Sequence, residues 1–176
     1  MKYVVFLRGI NVGGNKKVPM VDLKKMLEKM GCTEVKTILN SGNVVLDSME
    51  KNIAVFAKKI EVQFEKTFGF DSHIIIRTLA DIQALADSAP FKKIPVTEHT
   101  RLYITFLSEK PKNTLKIPYV SPAKDFTILK ASDTEICSVL VLSPATDSTK
   151  VMAVIEKEFG KNVTTRNWNT IEKLLK

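Results

Sequence analysis

The stretch Arg8-Gly9-Ile10-Asn11-Val12-Gly13-Gly14-Asn15-Lys16-Lys17 concentrates the groups that could hold an anion. Its glycines let several backbone N–H groups converge, and Arg8, Lys16 and Lys17 supply positive charge. A second polar cluster is Asn40-Ser41-Gly42-Asn43, and a third is Thr164-Thr165-Arg166-Asn167-Trp168-Asn169. In the third, Arg166 beside the single tryptophan, Trp168, and Asn167 could stack on or pair with a planar anion or base. The candidate ligand-binding set is therefore Arg8, Gly9, Asn11, Gly13, Gly14, Lys16, Lys17, Ser41, Asn43, Arg166, Asn167 and Trp168. Each cluster also has a plain structural use. Asn and Gly satisfy tight turns. Trp168 would anchor the last helix to a core, with Asn169 as its cap.

Residues for bond-making chemistry are sparse. His73 lies in an apolar run and His99 in a mixed polar segment, neither beside a nucleophile in sequence. HExxH, GxSxG and Walker A patterns are absent, and Gly9 to Gly14 does not spell GxGxxG. The carboxylates form no evident pair. Hydrolysis through a standard triad is not expected, and no catalytic residue or cofactor can be named. Cys32 and Cys137 are far apart and form no CxxC, so a zinc site is not expected. Buried reduced thiols are the default, which suits a reducing cytoplasm. Arg8 and the glycines interrupt the apolar start, so a secretory leader is not expected, and no apolar run approaches the length of a membrane span.

Among 176 residues, 27 Lys and Arg face 19 Asp and Glu, a formal net charge of +8. That excess favours anionic partners such as nucleotides or nucleic acid. The lysines are scattered, so solvated surface accounts for much of it. An apolar share of 44% and a charged share of 26% are ordinary for a globular protein.

Positioning these clusters requires a defined order of elements. Tyr3 to Leu7 reads as a strand, and Pro19 opens a helix that Gly31 closes. Glu34 to Leu39 and Asn43 to Asp47 read as a hairpin across the Asn40–Asn43 turn. A helix with Ile53, Phe56, Ile60, Phe64 and Phe68 on one face follows, then a strand from His73 to Arg77. This βαββαβ order is that of a split βαβ, ferredoxin-like unit. Thr78 could cap a further helix, Leu79 to Asp87.

The second half repeats the order. It comprises a strand at Arg101 to Leu107, a short helix at Pro111 to Ile117, and a hairpin of Asp125 to Lys130 with Glu135 to Leu142. A helix from Asp147 to Phe159, a strand from Val163 to Thr165 and a helix from Asn169 complete it. The expected architecture is α+β, two tandem βαββαβ halves (1–88 and 101–176) joined by a linker at 89–100, with an extra helix after each half. In such a unit the first strand's exit and the hairpin turn lie at one end of the sheet. Arg8 to Asn11 and Asn40 to Asn43 should therefore lie within about 11 Å of each other. An RNA-reading sheet needs aromatics on its central strands, and Asn43 to Asp47 offers none.

Leu7 to Gly14, Val18-Pro19-Met20, Ser41-Gly42-Asn43-Val44-Val45 and Thr164 to Thr170 resemble family 1697 of the bacterial domains of unknown function. The resemblance implies a small cytoplasmic bacterial protein of α+β type, with no activity to carry over. Family members tend to have glycines before the penultimate helix. Here that segment, Ser143 to Lys150, has none.

Three functions fit these observations. The first is binding of a phosphate-bearing ligand, a nucleotide or nucleic acid, at the glycine loop. The second is an enzyme in which Arg8, Asn11, Ser41 and Asn43 stabilise developing negative charge, though a base is missing. The third is an interaction module pairing through strand edges.

Overall fold

β1 (Lys2–Leu7) is an apolar run buried at every position after Lys2, as a strand covered on both faces must be. The computed structural model describes every residue except 15, 112–114, 145 and 147, and at 148–151 the backbone alone. β1 is followed by α1 (Met20–Lys29), the hairpin of β2 (Thr33–Ile38) and β3 (Asn43–Asp47), α2 (Ile53–Phe68), β4 (Ile74–Thr78) and α3 (Leu79–Asp87). The sheet order is β2-β3-β1-β4, and every neighbouring pair is antiparallel.

Alternation along the strands sends Tyr3, Val5, Leu7, Val44, Leu46, Ile74 and Ile76 to one face. There they pack with Leu23 and Leu27 of α1 and Phe56, Ile60 and Phe64 of α2. Each such side chain contributes about 1.5–3 kcal/mol by leaving water. Val4, Phe6 and Ile75, on the opposite face, are buried too, and α3 contacts β1 and β4.

Local signals terminate these helices. The Asn52 side chain accepts from the Val55 N–H at the start of α2, and Gly69 ends it in the left-handed conformation. Thr78 and Asp81 cap α3 reciprocally: Thr78 Oγ1 accepts from the Asp81 N–H, and Asp81 Oδ2 from the Thr78 N–H.

The second half contains β5 (Thr100–Leu107), β6 (Tyr119–Val120), β7 (Phe126–Ala131), β8 (Glu135–Val141), α4 (Ser148–Phe159), β9 (Val163–Asn167) and α5 (Trp168–Leu174). Its antiparallel sheet has the order β6-β7-β8-β5-β9. It does not copy the first half, because β6 adds a fifth strand at the edge. Two residues between Pro118 and Pro122 are too short to show any period, which hid β6 from the sequence. The expected helix at 111–117 falls on 112–114, outside the described residues, and the described residues 115–118 are not helical. Among the described residues the structure is mixed α/β, with two antiparallel sheets and five helices.

Two units are distinguishable: Met1–Asp87 with Thr170–Lys176, and Ser88–Asn169. The sequence groups the last helix with the second half, but its residues from Thr170 onward fall in the first unit. Ile171 and Leu174 are both buried. A short amphipathic helix shows in its sequence that it must bury a face, not which unit its residues join.

In the second unit Leu107, Phe126, Ile128, Ile136, Leu140, Ile155 and Val163 form one core. Ser138 sits across from Tyr103 and Ile128. Its hydroxyl is buried with no hydrogen-bond partner among the described residues. An unsatisfied buried hydroxyl costs about 1–3 kcal/mol. We expect Ser138→Ala to stabilise the chain by about 1 kcal/mol, raising the melting midpoint by roughly 2–4 °C. A calorimetric scan showing a lower midpoint would mean that the hydroxyl has a partner in solution.

Candidate functional site

The loop leaving β1 is built around Asn11. Its backbone takes φ 56°, a left-handed conformation that asparagine tolerates better than most residues. Its Nδ2 donates to the carbonyls of Val18 (2.9 Å) and Asn40 (2.7 Å), and its Oδ1 accepts from the Val18 N–H (2.7 Å). The Asn11 N–H donates to the Lys16 carbonyl at 3.1 Å. One side chain thus closes the loop on itself and ties it to the β2–β3 turn. The Leu7 N–H donates to the Gly42 carbonyl at 2.8 Å, a second tie. The first and second polar clusters therefore meet, as the sheet topology requires.

The turn uses its polar residues inwardly. Asn43 is fully buried, and its Nδ2 donates to the Ile38 carbonyl and to Ser41 Oγ, both at 3.0 Å. The positive φ falls on Leu39 (59°) and Gly42 (72°) rather than on the asparagines. Asn11 and Asn43 hold the frame, and the polarity of their amides is directed into the backbone.

The cations differ. The Arg8 N–H donates to the His73 carbonyl, and the Arg8 carbonyl accepts from Ser72 Oγ, which fixes its backbone at the end of the sheet. Lys16 lies 3.4 Å from Asp71 Oδ1 and 5.4 Å from the centre of the Phe70 ring. Lys17 is exposed. A shallow concavity of about 420 Å3 lies beside it, lined by Asn11, Gly14, Lys17, Val18, Pro19, Met20 and Asn40. α1 begins there without a side-chain cap, since its N-cap residue is Pro19. Gly9, Gly13 and Gly14 all have positive φ and open space where a Cβ would stand.

The third cluster belongs to the second unit through Asn169. Arg166 is buried within β9, where Nη1 donates to Thr164 Oγ1 (2.7 Å) and to the Thr165 carbonyl (2.9 Å). Burial lowers its pKa to about 10, which leaves it a cation at neutral pH. The strand runs two residues further than the sequence indicates, to Asn167. The cap of α5 is consequently Asn167, whose Oδ1 accepts from the Asn169 N–H at 3.0 Å, and not Asn169. Trp168 meets Phe91 edge to face at 5.2 Å, an anchoring contact.

Sequence reasoning missed one pair. His73 Nδ1 lies 2.9 Å from Glu61 Oε1, and that oxygen also accepts from the Ile74 N–H at 3.1 Å. They stand twelve positions apart in sequence, and only the packing of α2 on β4 joins them. His73 Nε2 is buried without a partner among the described residues, so this imidazole presents no open nitrogen to a substrate. Both cysteines are free and buried. Desolvation raises both thiols, Cys137 to about 11, so neither is a ready nucleophile. No group of three His, Cys, Asp or Glu among the described residues is placed to hold a metal. No described helix is long and apolar enough to cross a membrane.

Residues 1–136 match the family described as a protein of unknown function, DUF1697. The chain belongs to the DUF1697 family. The match contains the glycine loop and the β2–β3 turn, whereas Thr164 to Thr170 lies beyond it. Among solved structures, a conserved bacterial protein from Streptococcus pneumoniae superposes with a TM-score of 0.74 at 23% identity, over 98% of this chain and 96% of that one. At that identity the likeness establishes a shared fold for this DUF1697 protein. No curated protein matches the sequence.

Proposed function

We propose that this protein binds a phosphate-bearing ligand, a nucleotide or a nucleic acid, at the loop after β1. The observation that carries this reading is the start of α1. An uncapped helix N-terminus opens into a concavity that bears Lys17 and Gly14. Unpaired backbone N–H groups, the positive end of a helix dipole and a solvated ammonium all favour an anion there. Gly9, Gly13 and Gly14 allow close approach to the backbone. Arg8 and Lys16 add charge at the same end of the sheet, and Asn11, Ser41 and Asn43 keep the loop in shape. Arg166, Asn167 and Trp168 enter this reading only as a second candidate cluster. The net charge of +8 favours association with anions at low salt.

Thermal unfolding against nucleotides, sugar phosphates, short oligonucleotides and plain sulfate tests the proposal. A ligand selective for the folded state raises the midpoint by mass action. We expect one phosphate ligand to exceed sulfate, with a shift that shrinks as salt rises and is lost in Lys17→Glu. Lys17 is exposed, so that substitution spares the core. A shift that survives Lys17→Glu, or no shift with any ligand, would end the proposal.

A further inference from the structure

The helical face of the first unit carries a groove that the anion reading does not use. One hollow of about 540 Å3 lies over Met30, Val55 and Val62, with Lys58 and Lys59 at its rim. A second, of about 380 Å3, is lined by Met26 and Phe68, with Lys25 and Lys29 beside them. The two share Gln63. Val55 and Val62 are 43% and 42% exposed. They stand seven residues apart on α2, two helical turns or about 10 Å along one face. Four lysines and a single acid, Asp22, line the two hollows. Lys58 and Lys59 have acidic neighbours in Glu61 and Glu50. No ion pair among the described residues involves Lys25 or Lys29, four residues apart on α1. The groove thus has an apolar floor, and along α1 it carries two lysines, Lys25 and Lys29, outside any described ion pair.

We infer that this groove docks an acidic amphipathic helix of a partner protein. A helix laid between α1 and α2 would place apolar side chains, spaced i, i+4 and i+7, over Val55, Val62 and Met30. Its acidic flank would face Lys25 and Lys29, which fixes the orientation and speeds encounter. The choice of partner follows from charge, since a basic helix would be repelled by Lys25 and Lys29, which no described ion pair offsets.

The test uses the full chain and a fluorescent amphipathic peptide of roughly 18 residues, five helical turns, with leucines on one face and glutamates on the other. A charge-reversed peptide and a scrambled one serve as controls. By fluorescence anisotropy we expect the acidic peptide to bind at least about tenfold more tightly than either control. Val62→Asp should weaken it by about tenfold or more. The double variant Lys25→Glu/Lys29→Glu should weaken the acidic peptide and strengthen the charge-reversed one. Circular dichroism confirms that these surface variants fold. Equal binding of all three peptides, or none, overturns the inference. A concentration-dependent dimer abolished by Val62→Asp would overturn it in favour of a second copy of this chain. Flotation with phosphatidylserine vesicles, lost in the lysine variant, would overturn it in favour of a membrane surface.

Discussion

Gly42→Ala is expected to be among the most damaging single-methyl changes in this chain, at roughly 2–5 kcal/mol of lost stability. Two separate penalties add. The residue has φ +72°, where a side chain costs about 1–2 kcal/mol. The new Cβ would also stand 2.8 Å from Ile10 Cδ1 and 2.9 Å from Leu7 Cβ. Both neighbours are buried, so relief must come from the core, and overpacking of that kind costs about 1–3 kcal/mol. Gly31→Ala is the matched control, because φ is +87° there and nothing lies within 4 Å of the added atom. Urea unfolding of the two variants at unchanged slope reads the difference. If both lose the same amount, the close approach between the turn and the β1 exit is not tight in solution.

Asn11→Ala should cost roughly 4–5 kcal/mol, from three side-chain hydrogen bonds worth about 1 kcal/mol each and an alanine forced to positive φ. Asn11→Gly separates the two causes, since glycine accepts φ 56° freely but makes none of the bonds. It should still lose about 3 kcal/mol, the worth of the three bonds. Faster hydrogen exchange at the Val18 amide should accompany that loss, because its acceptor is Asn11 Oδ1. A glycine variant as stable as the parent would show that the clasp is not formed. Loss of ligand binding in Asn11→Ala would therefore say little about contact with a ligand. Lys17→Glu is the cleaner probe, because the exposed ammonium supports no loop geometry.

The first half was readable because its signals are local. Pro19, Gly31 and Thr78 punctuate the chain where helices begin and end, and the apolar periods between them are strong. The meeting of Asn11 with the Asn40–Gly42 turn followed from element order, since β1 and the β2–β3 turn must share an end of the sheet. Where the asparagine amides point was not readable. Asn is equally at home on a ligand and on a backbone carbonyl, and only the coordinates show Asn11 and Asn43 turned towards Val18, Asn40 and Ile38.

In the second half the local signals weaken. β6 is shorter than any period. The boundary between β9 and α5 moved two residues, because Thr-Thr-Arg-Asn is compatible with either a strand or a cap, and pairing of Tyr103 with Asn167 extends the strand. Glu61 and His73 join only when α2 packs on β4.

The sequence by itself determined the family, the mixed α/β class, the order of the first elements and the loop at the start of α1. These depend on residue types and on spacings of a few positions, where backbone sterics and side-chain periodicity act. Tertiary structure alone decided which polar atoms are spent on the fold, which unit the residues from Thr170 onward join, and which surfaces remain open. Those outcomes depend on contacts between residues far apart in the chain, and many different sequences leave them equally undetermined until the elements pack.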